Sequence, residues 1–390
     1  MLIGKQITVL GAGVAGLTVA RALALRGADV TIFEQAEAIR EVGAGLQISP
    51  NGARVLHALG LGDAFAAAGP RAEAVELLDG ETETRVARLD LARHKPNEEY
   101  RFLHRARLIE FLAEGAREAG VHIRLLQQVD AVDLSGPKPR LTTHQGAELE
   151  TDFLIGADGL HSKVRKALNG DATPFFTNQV AWRALVPARD DEPNIAQVFM
   201  APGRHLVSYP LGNGLRNIVA IEERRRWVEE SWTLHDDALS VQAAFEHFGP
   251  TVQSWLDEVE NPWLWGLFRH PVAQHWFGRN AAILGDAAHP TLPFLAQGAV
   301  MAIEDAWVLA QCLATHDSTS SALAGYQAAR RPRTSDIVEA ANQNARNYHL
   351  SGMKRLVAHL GLRAVSHLAP AKLLGQFDWV YDHDVTKTHP

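Results

Sequence analysis

The sequence is poor in cysteine and has no excess of positive charge, and each shortage excludes a class of protein. One cysteine, Cys312, stands among 390 residues. No disulfide can therefore form within the chain, and a reducing compartment is favoured. The formal net charge is −7, and no basic stripe offsets it. A nucleic-acid partner is not expected, because binding to phosphates needs a clustered positive surface.

Long apolar runs and metal-ligand patterns are also missing. The apolar N-terminal run is interrupted by Gly11, Gly13 and Gly16 and ends in a charged stretch, so it is too short for a signal peptide or a membrane span. The sequence shows neither a Cys/His cluster with zinc spacing nor an H-E-x-x-H pattern. We therefore expect a cytoplasmic protein with no membrane partner and no metal site.

The sequence does contain an α/β pattern, which is interrupted by a region of short strand-like segments. Residues 5–34 read as strand, turn, helix and strand, which is a βαβ unit. Further along, short apolar segments separated by proline and glycine predict a mostly antiparallel sheet. A helical region is expected from about residue 298. We predict an interleaved α/β protein with a first part over 1–172, an inserted sheet domain over 173–275, and a last part with C-terminal helices over 276–390.

The first motif, GAGVAG, lies between the first strand and the first helix. Gly11 permits the tight turn, Gly13 lets the backbone approach a pyrophosphate, and Gly16 lets the helix pack closely on the strand. Glu34 ends the next strand, where a carboxylate can accept hydrogen bonds from ribose hydroxyls. The motif predicts a dinucleotide at the positive end of the helix, and by itself leaves NAD and FAD open.

Two later motifs repeat the arrangement of a strand end followed by a special turn. In GADGLHSKVR, Asp158 and Gly159 lie where a buried strand ends and a helix begins. In ILGDAAHPTLPFLAQGA, Asp286 follows a glycine, and a helix starts near Gly298. The positive N-terminal end of that helix would face a cofactor. His289, in the same stretch, is interpreted as a packing residue that holds the loop before Pro290, rather than as a catalytic base.

These three motifs, in this order, resemble those of the single-component FAD-dependent aromatic hydroxylases, the group A flavoprotein monooxygenases. Within them the chain is most similar to the salicylate hydroxylase and 6-hydroxynicotinate 3-monooxygenase branch, and the resemblance runs from Gly11 to about 378–384. It implies a p-hydroxybenzoate-hydroxylase-like fold, in which a Rossmann-like FAD-binding domain carries the inserted sheet. It also implies FAD as cofactor, NADH or NADPH as co-substrate, and hydroxylation of a small aromatic with O2 through a flavin C4a-hydroperoxide.

The resemblance further implies which residues bind FAD. They come from the three motifs and from the loops between them: Gly11, Gly13, Ala15, Gly16, Glu34, Gly45, Arg105, Val129, Asp158, Gly159, Asp286, Pro293, Gly298 and Ala299. Gly43 and Gln47 flank Gly45 in a loop expected near the flavin ring. Val300 departs from the family pattern, in which many relatives have a polar residue, so its side chain is not expected to bind the flavin.

Substrate contacts are expected from the inserted sheet. His205 and Tyr209 are four residues apart, so on a strand both point to one face. His205 is predicted to assist deprotonation of a ring hydroxyl, a task suited to an imidazole with an ordinary pKa of about 6.5. Tyr209 is predicted to hydrogen-bond the substrate, and Arg183 to anchor a carboxylate by bidentate pairing. The alternatives are half-buried sheet residues for the first two and a surface salt bridge for Arg183.

Several alternatives stay open at this level. The substrate is a hydroxybenzoate, a salicylate or a hydroxypyridine carboxylate, with a urate-like or polyketide substrate as the alternative within related enzymes. An NAD-linked dehydrogenase and a non-catalytic FAD-binding protein are the alternatives outside them. The sequence does not decide between NADH and NADPH, or between a monomer and a homodimer.

Overall fold

The structure is a computed structural model that describes residues 2–39, 44–189, 191–225 and 234–388. The strands of these ranges are β1 Gln6–Leu10, β2 Asp29–Phe33, β3 Gly45–Ile48, β4 Ala74–Asp79, β5 Arg85–Asp90, β6 Arg101–His104, β7 His122–Arg124, β8 Val129–Asp133, β9 Arg140–Thr143, β10 Glu148–Glu150, β11 Phe153–Gly156, β12 Phe175–Pro187, β13 Ile195–Ala201, β14 Arg204–Gly212, β15 Leu215–Glu223, β16 Trp263–Arg269 and β17 Ala281–Ile283. The helices are α1 Val14–Ala24, α2 Pro50–Ala58, α3 Gly62–Ala67, α4 Leu91–His94, α5 Arg105–Glu118, α6 Lys163–Asn169, α7 Ala238–Ala244, α8 Pro250–Leu256, α9 Gly298–Thr315, α10 Thr319–Tyr348, α11 Gly352–Leu368, α12 Pro370–Gly375 and α13 Asp378–Tyr381.

A parallel sheet carries the three motifs. Its five strands follow the order β17-β11-β1-β2-β7, and every neighbouring pair is parallel. Val9, Ile32 and Ile155 on its strands are fully buried, and helices α1, α5 and α9 belong to the same core. Because the carboxyl ends of parallel strands meet at one edge, the turns after β1, β11 and β17 lie together there. The predicted Rossmann-like part is confirmed.

A second sheet has seven strands in the order β16-β12-β15-β14-β13-β4-β5. All its neighbouring pairs are antiparallel except β13 with β4, so the predicted mostly antiparallel sheet is confirmed. Strands β4 and β5 come from the part of the chain assigned to 1–172. Their pairing joins segments far apart in sequence, which a strand pattern alone does not reveal. The domain bounds at 172 and 275 stay a prediction.

The two faces of this sheet have different neighbours, because side chains alternate along each strand. On one face, Trp182 and Leu206 pack against Val241 of α7 and Val252 of α8. The opposite face packs against the segment after β17 and against α10, and its buried apolar cluster consists of Ala181, Val219, Ile221, Leu267, Leu292, Phe294 and Ala345. We call this second surface the inner face. The segment that carries the third motif therefore packs directly on the inner face of the sheet.

The predicted helical C-terminal region is confirmed, and it places the end of α10 at the inner face. Helix α10 begins with a capping box in which Ser318 and Ser321 exchange hydrogen bonds. It contains Pro332 and still runs to Tyr348, so His349 follows at its C-terminal cap. Across the described ranges, no helix is both long and apolar enough to cross a membrane.

Candidate active site

The three glycines of the first motif are required for different structural reasons. Gly11 has a φ of +95°, and a Cβ there would lie 2.5 Å from the carbonyl oxygen of Ala157. A Cβ at Gly16 would lie 1.9 Å from the carbonyl oxygen of Gly11. These two glycines are therefore required by the protein's own packing. Gly13 differs, because a Cβ there would meet no atom of the described residues within 4 Å.

The open space at Gly13 lies where a phosphate would bind. Gly13 is the N-cap of α1 and brings no side chain to the first turn of the helix. The first N–H groups of a helix lack intrahelical partners and carry the positive end of its dipole. Glu34 stands beside this turn, because its Oε2 accepts from the Ala12 N–H at 2.7 Å and its Oε1 from the Ala36 N–H at 2.9 Å. This cradle fits the pyrophosphate and ribose of a dinucleotide.

Asp158 is held by the start of α6. Its Oδ1 accepts from the Ser162 hydroxyl at 2.5 Å, and its Oδ2 accepts from the Lys163 N–H at 2.8 Å. Burial raises the pKa of Asp158, although these hydrogen bonds oppose the rise. Gly159, next to it, has a φ of +70°, a conformation that favours glycine. The two residues thus fix the turn after β11, and their direct contact with FAD stays a prediction.

Asp286 stands out from its surroundings, because it is the exposed residue in a run, 281–290, that is otherwise buried. It lies on a 3-10 turn after β17. The neighbouring Gly285 has a φ of +60°, and a Cβ there would lie 3.0 Å from the Cβ of Ala15. The first and third motifs are therefore in contact, and the Asp286 carboxylate faces outward beside them. That placement fits a polar ligand such as the ribityl chain.

Helix α9 starts without a side-chain cap. Its N-cap residue, Gln297, donates instead to the Ser49 hydroxyl at 2.9 Å. Pro293 opens a 3-10 turn before it, and Gly298 and Ala299 are half-buried at the helix start. The backbone donors of the first turn thus meet no capping side chain, as a site for the electron-rich edge of a flavin requires.

The side chain of Val300 does not face this helix start. It is fully buried, and one of its methyl groups would lie 3.1 Å from a Cβ at Gly52. The valine that departs from the family pattern therefore packs against α2.

The remaining predicted FAD residues lie on three separate elements. The Gly45 N–H donates to Oδ1 of Asn217 at 2.7 Å. Arg105 is the first residue of α5, and Val129 is the first residue of β8 and packs on the main core. Gly43 lies outside the described residues. The direct contacts of these residues with FAD stay predictions.

His289 belongs to a closed, buried ionic network behind the third motif. Its Nε2 lies 2.5 Å from Oδ2 of Asp305, and the same oxygen accepts from the Gly285 N–H at 3.1 Å. Arg330 donates to Oδ1 of Asp305 at 2.7 Å. Burial alone would raise the pKa of Asp305, but His289 and Arg330 lower it to about 2. These bonds hold the loop that carries Asp286, which supports a structural role for His289.

Glu304 extends the same network toward α2. It forms ion pairs with Arg330 at 2.7 Å and with Arg333 at 2.9 Å, and it accepts from Nδ2 of Asn51 at 2.7 Å. Burial opposes ionisation, yet the two arginines and Asn51 lower the pKa of Glu304 to about 2. The charges behind the start of α9 are thus paired and buried together.

His205 lies on the inner face of the sheet and is fully buried. Its Nδ1 is 2.7 Å from Nε2 of His349, whose Nδ1 is 2.7 Å from a carboxylate oxygen of Glu223. The other ring nitrogen, Nε2 of His205, is buried and has no hydrogen-bond partner in the part of the chain that the structure describes. The ring also stands 5.3 Å from that of Phe294, measured between centroids.

The expectation of an ordinary pKa for His205 is wrong. Burial, with His349 adding to it, lowers the pKa of His205 well below the usual value. The imidazole is therefore neutral at neutral pH, which leaves it able to accept a proton. The alternative of a half-buried sheet residue does not describe His205 either, because its side chain is fully buried against Phe294 of the segment after β17.

Tyr209 and Arg183 share the inner face with His205. Arg183 is opposite Val219 on β15, and Val219 is opposite Val207, which lies between His205 and Tyr209 on β14. Burial raises the pKa of Tyr209, while the charge of Arg183 and the nearby Gln47 oppose the rise. The guanidinium of Arg183 lies 5.0 Å from the ring centroid of Trp265. The three predicted substrate residues are thus brought together on one face.

Two residues of this site were missed by the sequence analysis. Asn217 lies opposite Tyr209, and its Oδ1 accepts from the Gly45 N–H. Its buried Nδ2 has no hydrogen-bond partner within the described ranges. Its position at strand spacing from Val219 and Ile221 was the signal that could have placed it on the inner face. His349 had no comparable signal, because it follows a long helix and meets His205 only in the fold.

Comparisons with known proteins agree with this geometry. The family model described as FAD binding domain matches residues 5–341. A 3-amino-4-hydroxybenzoate 2-monooxygenase from Streptomyces cremeus is 37% identical and covers 88% of this chain and 88% of its own length. A 3-hydroxybenzoate 6-hydroxylase from Polaromonas naphthalenivorans (strain CJ2) is 32% identical, covering 97% of this chain and 96% of the relative.

A solved structure shows that the fold is shared. The salicylate hydroxylase substrate complex superimposes with a TM-score of 0.83 at 23% identity, covering 99% of this chain and 98% of that one. The resemblance inferred from the motifs is therefore confirmed, and FAD is the cofactor that the cradle described above fits. The chain belongs to the FAD-binding family and, within it, to the FAD-dependent aromatic monooxygenases.

Proposed function

We propose that this protein hydroxylates a small hydroxybenzoate, with His205, Tyr209 and Arg183 as the residues that contact the substrate. The observation that carries the proposal is the buried Nε2 of His205, which has no hydrogen-bond partner among the described residues and lies on the same face as Tyr209 and Arg183. Leaving a buried polar atom unpaired costs about 1–3 kcal/mol, so a substrate that binds at the inner face and pairs with Nε2 of His205 would remove that cost.

The groups on the inner face match the groups of a hydroxybenzoate. A neutral imidazole accepts the hydrogen of a ring hydroxyl, and a guanidinium pairs with a carboxylate. Bound FAD, reduced by NAD(P)H, would supply the activated oxygen. The task of the protein is then to draw the phenol proton toward His205, because a phenolate donates more electron density to the ring than a phenol does.

The site also keeps water away from the ring. Leu292 and Phe294 come from the segment after β17 and are buried against Val219 and Ile221. A flat aromatic ring suits such an apolar wall better than a sugar or a polyol does. Excluding water strengthens the hydrogen bonds made by His205 and Tyr209 and prevents loss of reducing equivalents.

The named substrates of the two relatives support the same class. Both act, by their names, on hydroxybenzoates, and both cover most of this chain. Reduction by NAD(P)H, an intracellular co-substrate, supports a cytoplasmic location. We keep a monomer or a homodimer as the proposed assembly, and 1–172, 173–275 and 276–390 as the proposed division of the chain.

A substrate panel tests the proposal. The FAD-loaded protein is mixed with 3-hydroxybenzoate, 3-amino-4-hydroxybenzoate, salicylate, 6-hydroxynicotinate and urate, separately with NADH and NADPH. We expect a hydroxybenzoate to stimulate NAD(P)H oxidation and to yield a product one oxygen heavier. Stimulation by urate alone, or by no member of the panel, would contradict the proposal. A His205→Ala variant that hydroxylates at the wild-type rate would contradict the role of His205.

A further inference from the structure

A chain of three side chains connects the buried site to the surface. His205 is fully buried on β14, the side chain of His349 is 2% exposed, and that of Glu223 is 54% exposed at the end of β15. The two links are each 2.7 Å long. We call these three residues the His205–Glu223 chain. It starts at the unpartnered Nε2 of His205 and ends in solvent.

The exposed carboxylate fixes the protonation of every nitrogen in the chain. An ionised carboxylate only accepts hydrogen bonds, so Nδ1 of His349 must donate to Glu223. In a neutral imidazole the other nitrogen is then an acceptor, so Nδ1 of His205 donates to Nε2 of His349. Nε2 of His205 is therefore left as a lone-pair acceptor. The Glu223 carboxylate therefore determines, through His349, which nitrogen of His205 can accept a proton.

The groups packed around the chain do not compete for its protons. The ring of Phe294 contacts His205 from the segment after β17, and the phenol ring of Tyr348 contacts it from α10. Burial raises the pKa of Tyr348 to about 12, so it keeps its proton at neutral pH. On β15 the adjacent Glu222 points to the other face, where it pairs with Arg204 at 3.0 Å.

Both imidazoles rest in the neutral state. Burial lowers the pKa of His349, although Glu223 opposes the change, and burial lowers that of His205 still further. A proton that stayed on His205 would create a charge in a site that disfavours it. Ionisation of a phenol by His205 therefore needs a route along which the proton leaves.

We propose that His349 and Glu223 form the exit by which the hydroxyl proton of the substrate passes from His205 to solvent. The inference rests on the proposed function. In the transfer, the substrate O–H bond breaks as its proton joins Nε2 of His205. The proton on Nδ1 of His205 moves to Nε2 of His349, and the proton on Nδ1 of His349 moves to the Glu223 carboxylate and then to water. His205, His349 and Glu223 each end with as many protons as they began with, and the two rings end in the opposite tautomer. The substrate has lost one proton, and water has gained it.

His349 and Glu223 act through His205, so they are positioning residues for the proton and do not touch the substrate. A merely structural role would have them orient the ring of His205 and nothing more. The two roles differ in one respect. Orientation needs a hydrogen-bond acceptor at position 223, whereas the exit needs a group that gains and loses a proton there.

A Glu223→Gln variant separates these roles. The glutamine carbonyl still accepts from Nδ1 of His349, but the amide cannot take up the proton. The matched control is Glu222→Gln, one residue away on the other face. The oxidised, FAD-loaded protein is mixed with 3-hydroxybenzoate in a stopped-flow spectrometer, and phenolate formation is followed by absorbance without any turnover. We expect phenolate formation in Glu223→Gln to be slower by about tenfold or more, which is below the 10²–10⁴-fold worth of direct proton transfer.

A second variant, His349→Ala, distinguishes the loss of the proton route from a defect in folding. In His349→Ala the cavity has the size of the lost ring, so added imidazole should restore the rate of phenolate formation, whereas a structural defect should not respond. Two results would overturn the exit while the proposed function stands. One is a rate of phenolate formation, and a dependence of that rate on pH, that are unchanged in Glu223→Gln. The other is a rate in His349→Ala that imidazole does not restore. If the wild-type protein ionises and hydroxylates no hydroxybenzoate, the proposed function fails, and the exit fails with it.

Discussion

Two fully buried histidines lie beside the same loop, and their surroundings give them opposite roles. His289 and His205 each have one bonded ring nitrogen and one buried nitrogen that meets no hydrogen-bond partner among the residues the structure describes. The bonded nitrogen of His289 faces Asp305, which is itself fixed by a buried arginine. The bonded nitrogen of His205 faces His349, which leads to an exposed carboxylate.

The comparison shows that the last group of a hydrogen-bond network, more than the first, determines the role of the buried histidine bound to it. The His289 network is closed, because Asp305, Glu304 and Arg330 are all buried and hold one another's charges. Moving a proton within it would break an ion pair. The His205–Glu223 chain is open, because its last group exchanges protons with water. A closed network stabilises a loop, and an open chain transfers protons.

The largest expected effect concerns the closed network. Asp305→Asn leaves the buried guanidinium of Arg330 with one fewer counter-charge, and removing one partner of a buried ion pair costs about 3–5 kcal/mol. We expect the free energy of unfolding in urea to fall by that amount. The control is Asp336→Asn, at an exposed position on α10. A loss in Asp305→Asn no larger than in the control would show that the network is not what stabilises the loop.

Acid should destabilise the two networks in different pH windows. The pKa values of Asp305 and Glu304 are lowered to about 2, so their contribution is present above the unfolded value of about 4 and is lost as the pH falls from there toward 2. The pKa of His205 is also lowered, so the unfolded chain binds the extra proton and stability begins to fall below about pH 6.5.

Unfolding free energies measured across this range check both windows. We expect a first decline below about pH 6.5 that is smaller in a His205→Asn variant, and a second decline below about pH 4 that is smaller in Asp305→Asn. The total loss of unfolding free energy in the second decline should be on the order of a few kcal/mol. A single decline that neither variant changes would contradict the distinction between the two networks.

The anchoring role of Arg183 predicts an effect on binding. A charge-assisted hydrogen bond contributes about 1.5–3 kcal/mol, so Arg183→Gln should raise the KM for a hydroxybenzoate about tenfold to a hundredfold, with a smaller change in kcat. Arg204→Gln serves as the control, because Arg204 pairs with Glu222 on the other face of the same sheet. A KM equal to that of the wild type would remove Arg183 from the substrate site.

The smallest expected effect concerns the cofactor side of the loop. Asp286 is exposed, so Asp286→Asn should leave the stability of the FAD-free protein unchanged. Losing one charge-assisted hydrogen bond should raise the Kd for FAD by about tenfold, as measured by flavin fluorescence. Asp317→Asn, exposed near the end of α9, is the control. Equal FAD affinities in both variants would mean that Asp286 does not contact the cofactor.

The cofactor side could be read from the sequence because backbone conformation imposes local patterns. Gly11 and Gly16 are required by atoms within the same turn or at the adjacent strand end, and Asp286 lies in a motif that follows a strand. The parallel sheet follows from the βαβ pattern. For the same reason a helix could be predicted near Gly298, where α9 begins.

The substrate side could be predicted only in part. The strand spacing of His205 and Tyr209 places both on one face, and the structure agrees. The burial that lowers the pKa of His205 could not be predicted, because it depends on Phe294 and on the end of α10. Asn217 and His349 reach the site through pairings between segments distant in sequence, as β4 reaches β13.

The most direct test compares two variants that each remove only the unpartnered nitrogen of a buried histidine. His205→Asn keeps a donor toward His349, and His289→Gln keeps a donor toward Asp305. The measurement is the rate of hydroxylated product formed from the hydroxybenzoate that the wild type prefers, per mole of bound FAD. We predict a fall of about a hundredfold or more in His205→Asn and a rate close to the wild type in His289→Gln. An equal loss in His289→Gln, or full activity in His205→Asn, would contradict the assignment of the proton chemistry to the sheet.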